Sequence, residues 1–419
     1  MNLLIKNGTI LFNNKFVKKD ILVNKFKIFR IDDSINFDCD TIDATGLHVI
    51  PGLIDIHVHF RDFGQEHKET WKTASKAAIS GGVTTVFDMP NNLDPITTIE
   101  LYNKKLDAVK KKTQLNFGLY MAVTNDNIEQ INNSKIKFVK LYHGETVGKI
   151  NVENSEEIFQ KLNKNIFMIA HAEDNSIINL NKKKYTGKEI NYHSLIRNNE
   201  AEYVAVKELL NYSEKYDRQI HITHVSCKES IELIKQAKDK GLKVTCDTCC
   251  HYLFLDDSLY DKIGLYAKVN PALKSIDNQK ILWESLNNGV IDCLCSDHAP
   301  HTIQEKEGNY NNVMAGFPGV ETTSRLMLTA VNDKKITFQK FVNLMTKNPA
   351  KIIKIKQKGE IKEGFDADFA IIDLQKEDII DKVYTKANWT PYKSMKTKGK
   401  VIKTIVQGKF VYDKGNFYE

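Results

Sequence analysis

The chain has 419 residues, enough at ~150 per domain for two or three domains or for one large barrel with an appendage. It is 42% apolar, 27% charged and 9% aromatic, which excludes a disordered, collagen-like or low-complexity polymer. The net charge of +7 comes from 60 Lys and Arg scattered among 53 acids, not gathered in a basic stripe, and no apolar run approaches the ~18 residues of a bilayer span, so nucleic acid and membrane are set aside as partners.

Residues 1–50 read as short strands with polar turns: Leu3-Leu4-Ile5, Thr9-Ile10-Leu11, Asp20-Ile21-Leu22-Val23 and Lys27-Ile28-Phe29. Residues 356–419 repeat the style in Phe369-Ala370-Ile371-Ile372, Val401 to Val406 and Lys409 to Tyr412. Each end is too short to bury a sheet alone, so one β-sandwich module built from both termini is expected. Between them, over 51–355, eight apolar runs alternate with helical segments such as Glu69 to Ser80 and Glu200 to Lys215. The runs are Leu53 to His57, Val83 to Asp88, Leu115 to Val123, Phe138 to Tyr142, Ile166 to His171, Gln219 to His224, Leu242 to Asp247 and Val290 to Asp297. An α/β fold, a (β/α)8 TIM barrel, is expected; an open doubly wound sheet has the same alternation. The stretch 301–319 carries little periodicity and reads as a long loop.

Metal-ligand residue types sit at the ends of these runs. His57 and His59 share a strand face, since side chains repeat every two residues, and two imidazoles on one face can hold a divalent cation. Lys140 lies on the face of Ile136 and Phe138, which a barrel strand turns inward. There it is either a snorkelling lysine or an amine that takes up CO2 as a metal-bridging carbamate. His171 ends the fifth run. His221 and His224 lie on opposite faces of the sixth, so only one can look inward. Asp297 ends the eighth, followed by His298 and His301. Such residues at strand C-terminal ends mark the face where barrel enzymes build their sites. Seven Cys, three of them crowded at Cys246, Cys249 and Cys250, do not form a disulfide framework and suggest a reducing, cytoplasmic compartment. With His251 those three are also a candidate zinc site, though the spacing is not a standard structural-zinc signature.

The motifs carry a resemblance over essentially the whole chain. Pro51-Gly52-Leu53-Ile54-Asp55-Ile56-His57-Val58-His59, Gly81-Gly82-Val83-Thr84-Thr85, Met89-Pro90-Asn91-Asn92, Ser296-Asp297-His298-Ala299-Pro300-His301 and Gly316-Phe317-Pro318-Gly319-Val320-Glu321-Thr322 resemble the amidohydrolase superfamily of cyclic-amide hydrolases, and within it the dihydroorotases. The resemblance implies two zinc ions: His57, His59 and Asp297 as ligands of the first, His171 and His224 of the second, and a carboxylated Lys140 bridging them. It implies Arg61, Asn91, Asn270 and His301 as substrate-binding residues and Asp297 as the catalytic acid and base. The implied reaction is reversible closure of N-carbamoyl-L-aspartate to L-dihydroorotate in pyrimidine synthesis. His221, His251 and His298 are expected as supporting groups rather than ligands. A homo-oligomer and an aspartate transcarbamoylase partner are left open.

The chain departs from the commonest dihydroorotase pattern at Phe63, where Pro is usual, and at Asn92 and Lys274, where Thr and Arg are common. Asp247-Thr248-Cys249-Cys250-His251-Tyr252 looks closer to allantoinases. An allantoinase or dihydropyrimidinase-like hydrolase is therefore the second reading. A non-catalytic scaffold is the third, disfavoured because every ligand position holds a competent residue.

Overall fold

The computed structural model describes residues 2–144, 150–186 and 189–418. Eight parallel strand segments follow one another around a barrel: Leu53–Val58, Val83–Asp88, a run interrupted at Tyr120 (Asn116–Leu119, Met121–Ala122), Phe138–His143, Phe167–Ala172, Ile220–Ile222, Val244–Cys249 and Cys293–Cys295. The ring closes where His59 N donates to His298 O at 2.8 Å and Val58 bridges His298 in parallel. Closure excludes the open sheet. Every residue of Leu53–Val58, Val83–Asp88 and Phe167–Ala172 is buried, as expected for parallel strands covered by helices outside and filled by side chains inside. The interior holds Ile54, Ile56, Phe87, Tyr120, Phe138, Phe167 and Ile169.

The helices begin where the sequence offers a cap. Thr70 accepts from Thr73 N ahead of Trp71–Ser80, Asp174 from Ile177 N ahead of Asn175–Lys184, and Asn198 from Ala201 N ahead of Asn199–Lys215. The long loop after Asp297 contains one 3-10 turn, Gln304–Lys306. It presses so closely on Ala299 that a Cβ at Gly316, whose φ is +147°, would lie 2.5 Å from Ala299 O.

Both chain ends build one nine-stranded sheet. His48–Pro51, just before the barrel, pairs in parallel with Asn2–Phe12 and antiparallel with Phe369–Ile379. The sheet closes on its own core of Ile5, Ile10, Ile21, Val23, Val49, Phe369 and Ile405. Its far edge returns when Ile28 N donates to Phe365 O at 2.9 Å and Ala367 N to Phe26 O at 2.8 Å. This is the expected β-sandwich module. No helix among the described residues is long and apolar enough to cross a membrane.

The sixth strand corrects one expectation. It ends at Ile222, and His224 adopts φ +44°. Strand alternation therefore stops before His224. His221 bonds Asp247 Oδ2 at 2.8 Å, and His224 N donates to Oδ1 of the same carboxylate at 2.6 Å. Both histidines face the barrel interior, at different depths.

Candidate active site

The C-terminal ends of the strands open on one cleft. It is lined by His57, His59, Arg61, Asn91, Lys140, Tyr142, His171, His224, Asn270 and Asp297, with Val269, Ala299, Ala315 and Gly316 closing its rim. All the sequence-derived residues except His301 line it, and His301 stands behind Arg61 at 3.2 Å. Three of the residues that shape it hold left-handed backbone: Arg61 at φ +62°, His224 and Asp297 at +44°. Non-glycine residues in this region are strained, and such strain gathers at functional sites.

The first three donors converge. His57 Nε2 lies 3.2 Å and His59 Nε2 3.1 Å from Asp297 Oδ1, all three side chains buried. Each imidazole is held from behind: His57 Nδ1 meets Thr223 Oγ1 and His59 Nδ1 meets Asn91 Oδ1, both at 2.6 Å. Burial, helped by Lys140 and the neighbouring imidazoles, holds His57 neutral, well below the usual histidine range. Burial alone would raise the Asp297 carboxyl; the hydrogen bond from His59 and the charge around it hold it below its usual value.

On the other side His171 Nδ1 lies 3.0 Å from His224 Nε2. His171 Nε2 is 3.0 Å from Glu173 Oε2, and Glu173 is itself paired with Arg197. Between the two groups stands Lys140, 1% exposed, its Nζ without a hydrogen-bond partner among the described residues. Burial pushes its ammonium down to about 8. His224 Nδ1, Asn270 Oδ1 and Tyr142 Oη are likewise buried without partners among the described residues. His57, His59 and Asp297 bring three donor atoms close enough to hold a metal ion, with the buried, unpartnered amine and two further imidazoles beside them.

Sequence reading passed over Tyr142, although it alternates with Lys140 onto the same face. It also passed over Thr223 and Glu173, which orient His57 and His171. Asn92 and Lys274 are structural: Asn92 donates to Asp62 O and accepts from Lys105 at 2.9 Å, and Lys274 donates to Arg197 O. The four residues of the candidate cysteine site separate. Cys246 Sγ turns to Val290 O, Cys250 Sγ to Thr323 O and Cys249 Sγ to Cys295 Sγ at 3.3 Å, while His251 packs on Phe317. They do not share a centre. His298 lies behind the cleft, its Nδ1 accepting from Gly319 N at 3.2 Å.

A closed barrel with converging candidate metal ligands at its C-terminal face is the architecture of a hydrolase site, and the chain belongs to the amidohydrolase family, whose model matches residues 48–411. Its relatives narrow the class. The chain is 35% identical to a dihydroorotase of Methanosphaera stadtmanae, covering all of this chain and 95% of the relative. It is 37% identical to one of Pyrococcus horikoshii over 98% of this chain and 92% of the relative. Among solved structures it is similar to an L-hydantoinase (dihydropyrimidinase) from Arthrobacter aurescens, with a TM-score of 0.95 and 28% identity over 100% and 97% of the chains. It is also similar to a dihydropyrimidinase from Brevibacillus agri, with a TM-score of 0.92 and 26% identity over 100% and 96%.

Proposed function

We propose that the protein is a dihydroorotase, interconverting N-carbamoyl-L-aspartate and L-dihydroorotate for pyrimidine synthesis in a reducing, cytoplasmic compartment. The observation that carries this reading is Arg61. Its guanidinium is buried in the cleft beside Asp297; Nε donates to Pro300 O at 3.3 Å and Nη2 lies 3.2 Å from His301 Nε2, with no carboxylate paired to it among the described residues. A buried cation left this way calls for an anion, and L-dihydroorotate brings one in its free carboxylate. Asn91, Asn270 and His301 complete the grip.

Two divalent cations, zinc in this reading, would be held by His57, His59 and Asp297 and by His171 and His224, with Lys140 between them as a carbamate. Bound there they would polarise the ring amide and make a water nucleophilic near neutral pH. Lys140 Nζ would supply the bridge once its ammonium has given up a proton: the free amine adds to CO2 and releases a second proton, leaving a carbamate. In ring opening Asp297 takes the proton of the attacking water and passes it to the leaving ring nitrogen. In closure the same carboxyl gives its proton to the departing oxygen.

The second reading, a dihydropyrimidinase-like hydrolase, is favoured by the solved structures. The hydantoin and dihydropyrimidine rings for which those enzymes are named lack the carboxylate that Arg61 would answer. The test is turnover of L-dihydroorotate, dihydrouracil and allantoin side by side, with zinc and bicarbonate supplied. Turnover of L-dihydroorotate alone supports the proposal; turnover of either neutral ring in its place overturns it.

A further inference from the structure

Lys68 is a buried lysine that no step above uses. It lies in the loop between the first barrel strand and the helix Trp71–Ser80 and is 5% exposed. Its Nζ is 2.9 Å from Glu305 Oε1 and 3.3 Å from Nδ1 of His301. An ammonium only donates. A ring nitrogen that receives its hydrogen carries none, so the His301 proton must sit on Nε2. The alternative, an Nδ1–H donated to Glu305, is poorly served: Glu305 Oε2 stands 3.6 Å from Nδ1, beyond hydrogen-bond range, and already accepts from Thr302 N at 3.0 Å.

The other ring nitrogen fits this tautomer. His301 Nε2 is 3.1 Å from Ala315 O, which can only accept. It is also 3.2 Å from Arg61 Nη2, which can only donate. With its proton on Nε2 the ring offers Arg61 no lone pair. Arg61, lining the cleft, and His301 directly behind it are then adjacent donors, and an anion in the cleft would accept from Arg61 and would share the His301 hydrogen with Ala315 O. Burial holds the ring well below the usual histidine range, against the pull of Glu305 and with Arg61, Lys68 and Lys306 adding to the effect.

We propose that Lys68 is a positioning residue: it locks His301 in the Nε2–H tautomer, so that His301 and Arg61 present paired donors to the carboxylate of the substrate. The substrate half of this rests on the dihydroorotase reading; the tautomer does not.

The ring is read by long-range proton–nitrogen correlation in protein labelled with 15N-histidine, the His301 signals being assigned by their loss in His301→Asn. The expected wild-type pattern is a protonated Nε2 and a bare Nδ1. Lys68→Met, which keeps the stem and removes the donor, should mix or invert that pattern. It should also raise KM for L-dihydroorotate by about tenfold, with kcat within about twofold. Lys68→Arg, which restores a donor, should recover both. A wild-type ring protonated on Nδ1 overturns the proposal, as does Lys68→Met leaving both ring pattern and KM unchanged. A Lys68→Met variant that loses kcat with unchanged KM overturns the positioning role as well. Absence of L-dihydroorotate turnover by the wild-type enzyme is the separate failure of the functional reading, and the ring spectrum still decides the tautomer.

Discussion

His57 Nδ1, on the first barrel strand, and Thr223 Oγ1, one residue past the end of the sixth, stand 2.6 Å apart. Thr223 Oγ1 in turn donates to Asp247, 3.0 Å from Oδ2, and Asp247 Oδ1 accepts from His224 N at 2.6 Å. A hydroxyl that gives its hydrogen to the carboxylate must accept from His57, so the His57 proton lies on Nδ1 and the Nε2 lone pair faces Asp297. One carboxylate thus fixes the His57 ring through Thr223 and ties down the backbone at His224.

Thr223→Val keeps the branched shape and removes the hydroxyl. His57 would lose its fixed tautomer, and the Asp247 carboxylate one donor. Zinc affinity, measured by competition with a chromophoric chelator, should fall by about 10–100-fold, the usual effect of losing such a support. A variant with wild-type affinity would show that His57 needs no fixing from behind.

Arg61→Lys keeps the charge and loses the planar fork. Lysine reaches a carboxylate as a point donor and would not satisfy both Pro300 O and a bound anion in the same plane. KM for L-dihydroorotate should rise at least about tenfold, the equivalent of ~1.4 kcal/mol. Steady-state kinetics decide this, and an unchanged KM would remove Arg61 from the carboxylate grip.

Much of the site was legible because its donors close apolar runs. His57, His171 and Asp297 each end a stretch whose composition already marks a barrel strand. His224 was half legible: its residue type was noticed, but strand periodicity gave it the wrong relation to His221, because the backbone turns at φ +44° after the strand stops. The cysteine cluster failed for the opposite reason. Cys246, Cys249 and Cys250 are close in sequence, yet they turn to three different partners. Thr223 and Lys68 carried no signal, since their partners lie 166 and 233 residues away and only the closed barrel brings them together.

Glu321, in the run that follows the long loop, gives a pH-dependent stability. Burial raises its carboxyl to about 8 from an ordinary 4.5, although Tyr384 N donates to it at 2.7 Å. The folded state therefore holds this proton more tightly than the unfolded one. That contribution to stability is complete below pH 4.5 and is lost as pH climbs through about 8. Glu321→Gln cannot ionise. Its Tm should match wild type near pH 4.5 and exceed it by about 2–4 °C at pH 9. Calorimetry at the two pH values reads the difference, and a variant less stable at pH 9 would show that the charged form is well solvated.

The Lys140 ammonium has no lone pair for a metal and no hydrogen-bond partner among the described residues. A carbamate would replace the positive charge by a negative one, offer two oxygens, and give the imidazoles on both sides a shared neighbour. Enzyme stripped of metal and CO2 should regain activity only when zinc and bicarbonate are added together. With 13C-bicarbonate a carbamate carbon signal should appear on reconstitution. Lys140→Met should show no such signal and should bind less zinc. If zinc alone restored full activity in CO2-free buffer, the amine would have to remain unmodified, and the two cations would need to be held by the four histidines and Asp297 without a bridge.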